Sequence, residues 1–228
     1  MPFIVDRNMR KSCVDTLKSI DDRIYFSKDC DWVYKPVNTH PDLQVHFTDR
    51  NLAFVPPELF EYYRSILPDY IKIKIGNKSL GGSYPDNVAY NIARIGNYII
   101  ANTKYADENI LEYYRDNGFK IINIKQGYAK CNICTDGKSA VTEDKGVYKT
   151  LTEKGIETLL ISAGNVRLEN FPYGFIGGAS GYADNKILLC GEAENISEIA
   201  GFFKKNGTMV LSLDKEKLTD YGSVLYFE

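Results

Sequence analysis

Several classes of protein are excluded by what this 228-residue chain lacks. It has no excess of positive charge: 28 Lys and Arg stand against 30 Asp and Glu. It therefore offers no basic footprint for nucleic acid and no polybasic patch for a membrane surface. No apolar run approaches the length needed to span a bilayer. The opening "MPFIVDRNMRKSC" has a short apolar stretch cut by Asp6, so it does not read as a signal peptide. The cysteines, Cys13, Cys30, Cys131, Cys134 and Cys190, are odd in number and loosely spaced. That argues against a disulfide framework and for a reduced, cytoplasmic setting.

Two further scarcities bear on chemistry. His40 and His46 are the only histidines, and neither has a nearby third ligand, so no metal site is expected. Cys131 and Cys134 form a C-x-x-C without the second pair that zinc would want, and no cofactor motif is complete. Gly137-Lys138-Ser139 resembles the end of a phosphate loop, but the position five before Gly137 is Asn132 and not glycine. It reads as a turn that carries a lysine.

What the chain does contain is a repeat. His40-Pro41-Asp42 and Tyr84-Pro85-Asp86 lie 44 residues apart, and the same step lands on Tyr128-Ala129-Lys130 and then on Pro172-Tyr173-Gly174. Each start is followed by a strand, a turn, a strand, a helix and a strand. In the second copy the strands are expected at Asn87–Asn91, Tyr98–Thr103 and Phe119–Ile124. Its helix, Asp107–Asn117, has Ile110, Leu111 and Tyr114 on one face and is stopped by Asn117-Gly118. In the other copies the first strand is expected at "LQVHF", "CNIC" and "FIGGA". The units span about 40–76, 84–125, 128–163 and 172–214. The lone strand 221–227 joined to 1–30 completes a fifth, within one domain covering 1–228. A short unit cannot bury its own apolar face, so the units must share a core. A last strand that completes the first unit would close a ring and remove a sheet edge.

Five such ββαβ units resemble the pentein fold, the five-bladed α/β propeller of dimethylarginine dimethylaminohydrolases, arginine and agmatine deiminases and amidinotransferases, which also includes a non-enzymatic ribosome anti-association factor. Pro41-Asp42 and Gly81-Gly82-Ser83-Tyr84-Pro85-Asp86 are similar to the Pro-Asp and Gly-Gly-Asp openings of the hydrolases. The resemblance implies a catalytic histidine in a His-x-Lys triplet, for which this chain has Tyr128-Ala129-Lys130. It also implies a nucleophilic cysteine directly before Ser223-Val224-Leu225, where this chain has Gly222. The family attacks a guanidinium carbon with a thiolate while histidine moves protons. Glycine can do neither, and a tyrosine with an ordinary pKa of about 10 is far from a neutral-pH shuttle.

The candidate ligand-binding residues are Asp42, Asp86, Lys130, His40, Tyr84, Tyr128 and Tyr221. Asp42 and Asp86 on neighbouring units could clamp a guanidinium or amine, or each could cap its own turn. His40 is a candidate relocated proton carrier. Cys190 and Cys131 are candidate displaced nucleophiles, against the plainer reading of buried thiols. The glycines of "FIGGASGY" suit a close backbone approach. Three functions follow: a pentein that binds a small guanidino, amine or amino-acid-like ligand without thiol chemistry; a hydrolase or amidinotransferase with relocated residues; and a protein- or ribosome-binding pentein. The expected partner is a small molecule, with a protein partner as the third case.

Overall fold

A computed structural model describes residues 2–227. Met1, counted in the first unit above, lies outside the described residues. After β1 (Phe3–Val5), α1 (Lys11–Ile20) and β2 (Ile24–Phe26) comes a one-turn helix, α2 (Pro41–Gln44). It leads into β3 (His46–Asp49), β4 (Leu52–Val55), α3 (Phe60–Ile66) and β5 (Lys72–Ile75). The second copy forms β6 (Ala93–Ile95), β7 (Tyr98–Ala101), α4 (Glu108–Asp116) and β8 (Lys120–Asn123). The third begins with another one-turn helix, α5 (Ala129–Asn132), then β9 (Cys134–Thr135), β10 (Ala140–Thr142), α6 (Lys145–Glu153) and β11 (Thr158–Leu160). The fourth is β12 (Ser180–Ala183), β13 (Lys186–Leu189), α7 (Ile196–Lys204) and β14 (Met209–Ser212), and β15 (Leu225–Tyr226) ends the chain.

These strands form five three-stranded sheets, ordered β15-β1-β2, β3-β4-β5, β6-β7-β8, β9-β10-β11 and β12-β13-β14. In each, the first pair is antiparallel and the second is parallel, with a helix carrying the chain between the parallel strands. β15 pairs antiparallel with β1 through Phe3–Tyr226 and Ile4–Leu225, so the last strand does complete the first sheet. The helices stop where the sequence says. Gly118, Gly155 and Gly207 follow α4, α6 and α7 with φ of 78°, 76° and 75°, the left-handed backbone that ends a helix cheaply only at glycine. Asp107 and Asp144 cap α4 and α6, accepting from Ile110 N and from Gly146 N and Val147 N.

The first strands begin later than expected. "LQVHF" is split between α2 and β3, "CNIC" between α5 and β9, Asn87–Asn91 is a turn ahead of β6, and "FIGGA" is an irregular run ahead of β12. Residues 37–46 are buried without interruption, so they lack the alternation that tells a strand from a helical turn. Pro41, at the first position of α2, is already set to the helical φ.

The apolar core is five clusters, each drawing on two units. Ile4 and Phe227 pack with Leu43, Val55 and Tyr63. Phe54 joins Tyr90, Ile110 and Tyr114. Ile100 and Ile122 meet Val147 and Leu151. Val141 and Ile161 meet Ile187 and Phe203. Phe3 and Leu17 meet Leu188 and Leu213. Phe227 is buried and stacks on Phe47 with ring centres 5.0 Å apart and planes 4° from parallel. Phe227→Ala is therefore expected to cost about 3–5 kcal/mol of unfolding free energy in urea. A loss below about 1 kcal/mol would mean that the last strand does not anchor the N-terminal sheet.

Candidate functional site

The segments that precede the first strands of the sheets carry a polar cluster, most of it buried. Helix α2 brings in His40 as its N-terminal cap residue and Asp42 in its first turn, both 2 % exposed. Helix α5 brings Lys130 and Cys131. The segment before β15 brings Asp220, Gly222 and Ser223. Asp42 Oδ2 accepts from the Cys131 thiol at 3.0 Å and from the Ser223 hydroxyl at 2.7 Å. Lys130 Nζ donates to Ser223 Oγ at 3.1 Å. Buried Asn91 ties these pieces together: its Oδ1 accepts from Lys130 N and Cys131 N, and its Nδ2 donates to Cys131 Sγ at 3.1 Å and to Asp42 O at 3.3 Å. Ser223 is held at φ 71°, a left-handed conformation that costs energy for a residue with a Cβ.

Gly222, the position of the resembled family's nucleophile, is closed by His40. A Cβ built there would come 2.6 Å from His40 Cα and closer still to its Cβ, and the residue sits at φ 64°. No side chain fits without displacing α2. Gly177 and Gly178 are also set by close approach: a Cβ on the first would meet Cys131 O at 2.6 Å, and one on the second would meet Asp220 Cγ at 2.5 Å. This is the backbone approach anticipated for "FIGGASGY".

Acidic groups surround His40. Asp220 Oδ1 is 3.8 Å from its Nδ1, while the Asp220 carboxylate accepts from Gly222 N and Phe175 N, each at 2.9 Å. Burial raises the pKa of Asp220, and the nearby His40 pulls it down. Asp6 is in the same position, raised by burial and lowered by His40. Burial also pushes Glu143, which accepts from Ile176 N, up to about 7. The thiols are suppressed. Cys131 and Cys190 titrate well above the ordinary thiol range because they are buried, with Asp42 adding to the effect at Cys131. A buried thiol with a raised pKa is a poor nucleophile.

The expected site residues thus divide. His40, Asp42 and Lys130 meet in the cluster. Asp86 does not join them: it lies exposed on a turn where its carbonyl accepts from Gly81 N, so the clamp by Asp42 and Asp86 is not formed. The partners of Asp42 are Cys131 and Ser223, from other segments. Tyr128 and Tyr84 lie in an aromatic group. The Tyr128 ring is 5.6 Å from that of Tyr84 and 6.3 Å from that of Phe175, and its hydroxyl bonds Tyr34 Oη at 2.8 Å and Asn87 Oδ1 at 3.2 Å. Burial and Tyr34 raise the Tyr128 pKa further, away from any role as a proton shuttle. Tyr221 lies under the Arg10 guanidinium at 5.6 Å. His46 is a core residue bonded to Tyr114 Oη at 2.8 Å, and burial lowers its pKa to about 3. Gly137-Lys138-Ser139 is a turn closed by Asp136, which accepts from Lys138 N and Ser139 N.

Asp6, Asn91, Asp220 and Ser223 were not singled out from sequence. Only Asp220 and Ser223 had a signal, their place on either side of Gly222. Two cavities border the cluster. One, of about 490 Å³, has His40, Asp6, Asp220 and Tyr221 in its wall and the exposed Lys35 and Arg167 as further lining. The other, of about 470 Å³, is lined by Asp42, Lys130, His46 and Arg94 among others.

Five mixed sheets of this topology, with polar side chains gathered where the first strands begin, make an α/β fold that matches solved proteins of pentein fold. The chain belongs to the family described as "Family of unknown function (DUF6873)", whose model matches residues 4–225. No curated protein is matched by the sequence. Among solved structures, it is similar to a dimethylarginine dimethylaminohydrolase adduct with 4-chloro-2-hydroxymethylpyridine, at 10% identity and a TM-score of 0.55, over 93% of this chain and 91% of that one. A variant of the Pseudomonas aeruginosa dimethylarginine dimethylaminohydrolase complexed with citrulline matches at 10% identity and a TM-score of 0.56, again over 93% and 91%. A C. jejuni agmatine deiminase matches at 12% identity and a TM-score of 0.52, over 92% of this chain and 74% of that one. At these identities the likeness is one of fold.

Gly222→Cys, which places a thiol where the resemblance implies one, is expected to lower stability by at least about 2 kcal/mol through overlap with His40 and the left-handed backbone. Combining it with His40→Gly should recover part of that loss. A Gly222→Cys protein as stable as the parent in urea would contradict the closure.

Proposed function

We propose that the five sheets close into a pentein α/β propeller about a pseudo-fivefold axis, and that the protein binds a small guanidino, amine or amino-acid-like ligand at the axial site without thiolate chemistry. The ring is supported by the five core clusters: each joins consecutive units, and one joins the fourth unit to the N-terminal one. The observation that carries the function is the pairing of a sealed nucleophile position at Gly222 with buried carboxylates, Asp6 and Asp220, on the wall of the His40 cavity. Carboxylates in a partly dry cavity favour a cation, and a planar guanidinium meets them with two parallel hydrogen bonds. Lys35 and Arg167 suit the carboxylate of an amino-acid ligand. Among the similar solved structures are a dimethylarginine dimethylaminohydrolase complexed with citrulline and an agmatine deiminase, which agrees with the ligand class.

Of the other two readings, the relocated hydrolase is disfavoured by the raised pKa values of Cys131 and Cys190. A protein-binding role, in the cytoplasm expected from the cysteine usage, draws on one observation. Trp32, Tyr84, Phe171 and Tyr173 are exposed, and the rings of Tyr34 and Phe171 lie 5.9 Å apart at one end of that group.

The test is a thermal-shift series with arginine, agmatine, Nω-methylarginine and the neutral analogue citrulline. A cationic member should raise the melting temperature by several degrees, as expected for ligand in large excess over Kd, and Asp220→Asn should remove the shift. An unchanged melting temperature across all four compounds would contradict the reading.

A further inference from the structure

The geometry points to a transition-metal site at the centre of the molecule, formed by His40, Asp42 and Cys131. One ligand atom from each residue lies within 4.8 Å of the other two, and all three residues are buried. Two of their polar atoms, His40 Nδ1 and Asp42 Oδ1, have no hydrogen-bond partner and no solvent. A buried unpaired donor or acceptor is costly, and natural structures keep few of them without a reason. A cation would satisfy both.

Three further features fit. Two of the prospective ligands, Cys131 and Asp42, have an outer partner of the kind that orients metal ligands. Asn91 Nδ2 donates to Cys131 Sγ at 3.1 Å. Ser223 Oγ donates to Asp42 Oδ2 at 2.7 Å and is itself held by Lys130. Second, the donor set of one sulfur, one nitrogen and one oxygen selects Zn²⁺ or Co²⁺ over Mg²⁺ or Ca²⁺, which prefer oxygen alone. Third, charge balances: a divalent ion bound by one carboxylate and one thiolate is neutral, with the Cys131 proton released to solvent on uptake. Asp6 and Asp220 are not among the three ligands and line the His40 cavity, so the ion and the cationic ligand proposed above do not exclude each other. Three protein ligands leave a fourth position open, the arrangement of zinc sites that also bind water or an exogenous ligand.

The test uses no guanidino compound, so its outcome is separate from that of the ligand series. The full-length protein is treated with chelator, and Co²⁺ is titrated in. The expected result is one ion per chain, with d–d bands of low-coordinate cobalt and a thiolate-to-cobalt charge-transfer band. Cys131→Ser should abolish the charge-transfer band and weaken Zn²⁺ binding at least 10-fold, while Cys190→Ser leaves both unchanged. Should Cys131→Ser fail to fold, X-ray absorption on the zinc-loaded parent protein decides, with one sulfur and the remaining ligands nitrogen or oxygen expected. Absence of stoichiometric uptake, a charge-transfer band that survives Cys131→Ser, or a zinc shell without sulfur would each overturn the proposal.

Discussion

The buried carboxylate of Asp42 is the interaction on which the centre of this molecule depends. It takes a thiol from α5 and a hydroxyl from the segment before β15, while its own helical turn, α2, sits against Gly222. Three pieces of chain, 89 and 181 residues away from one another in the two bonds concerned, meet on one oxygen. A buried carboxyl is costly to leave without its partners, so removing either of them there leaves an unsatisfied polar atom. The sheets could pack by apolar burial alone, but the register in which their inner segments meet is fixed by this carboxylate and by Asn91.

The same meeting point shapes the surroundings of position 222 and of the thiols. His40 presses its Cα and Cβ where a side chain at position 222 would begin, so the glycine there is a packing requirement. The candidate thiols are buried and bonded to a carboxylate, as at Cys131, or set in the apolar cluster around Phe3 and Leu17, as at Cys190. Tyr128, where relatives of the resembled class would carry histidine, spends its hydroxyl on Tyr34 and Asn87. What remains is a set of carboxylates around an imidazole, an arrangement suited to holding positive charge.

The fold was largely legible in the sequence because its signals are local. The apolar face of α4 at Ile110, Leu111 and Tyr114 and the glycines after α4, α6 and α7 each depend on neighbouring residues only, and the 44-residue spacing is the recurrence of such local signals. No helix among the described residues is long and apolar enough to cross a membrane, in keeping with the absence of a long apolar run. The first strand of each unit was misjudged because the preceding segment is buried on every side, which erases the alternation that marks a strand. The site was legible in half. His40, Asp42 and Lys130 carry the repeat position to the centre, whereas Asp86, at the same repeat position, stays on an exposed turn. Asp220 and Asn91 reach the cluster through tertiary folding alone, and nothing in their local sequence marks an aspartate or asparagine as buried.

The central proposal is that this protein works without a reactive thiol. Alkylation of the native protein tests it most directly. With excess iodoacetamide or 2-chloroacetamidine near pH 8, followed by intact-mass measurement, none of the five cysteines should be modified until denaturant is added, because all are buried and their pKa values are raised. A fast, single adduct on native Cys131 or Cys190 would contradict the account and restore thiolate catalysis.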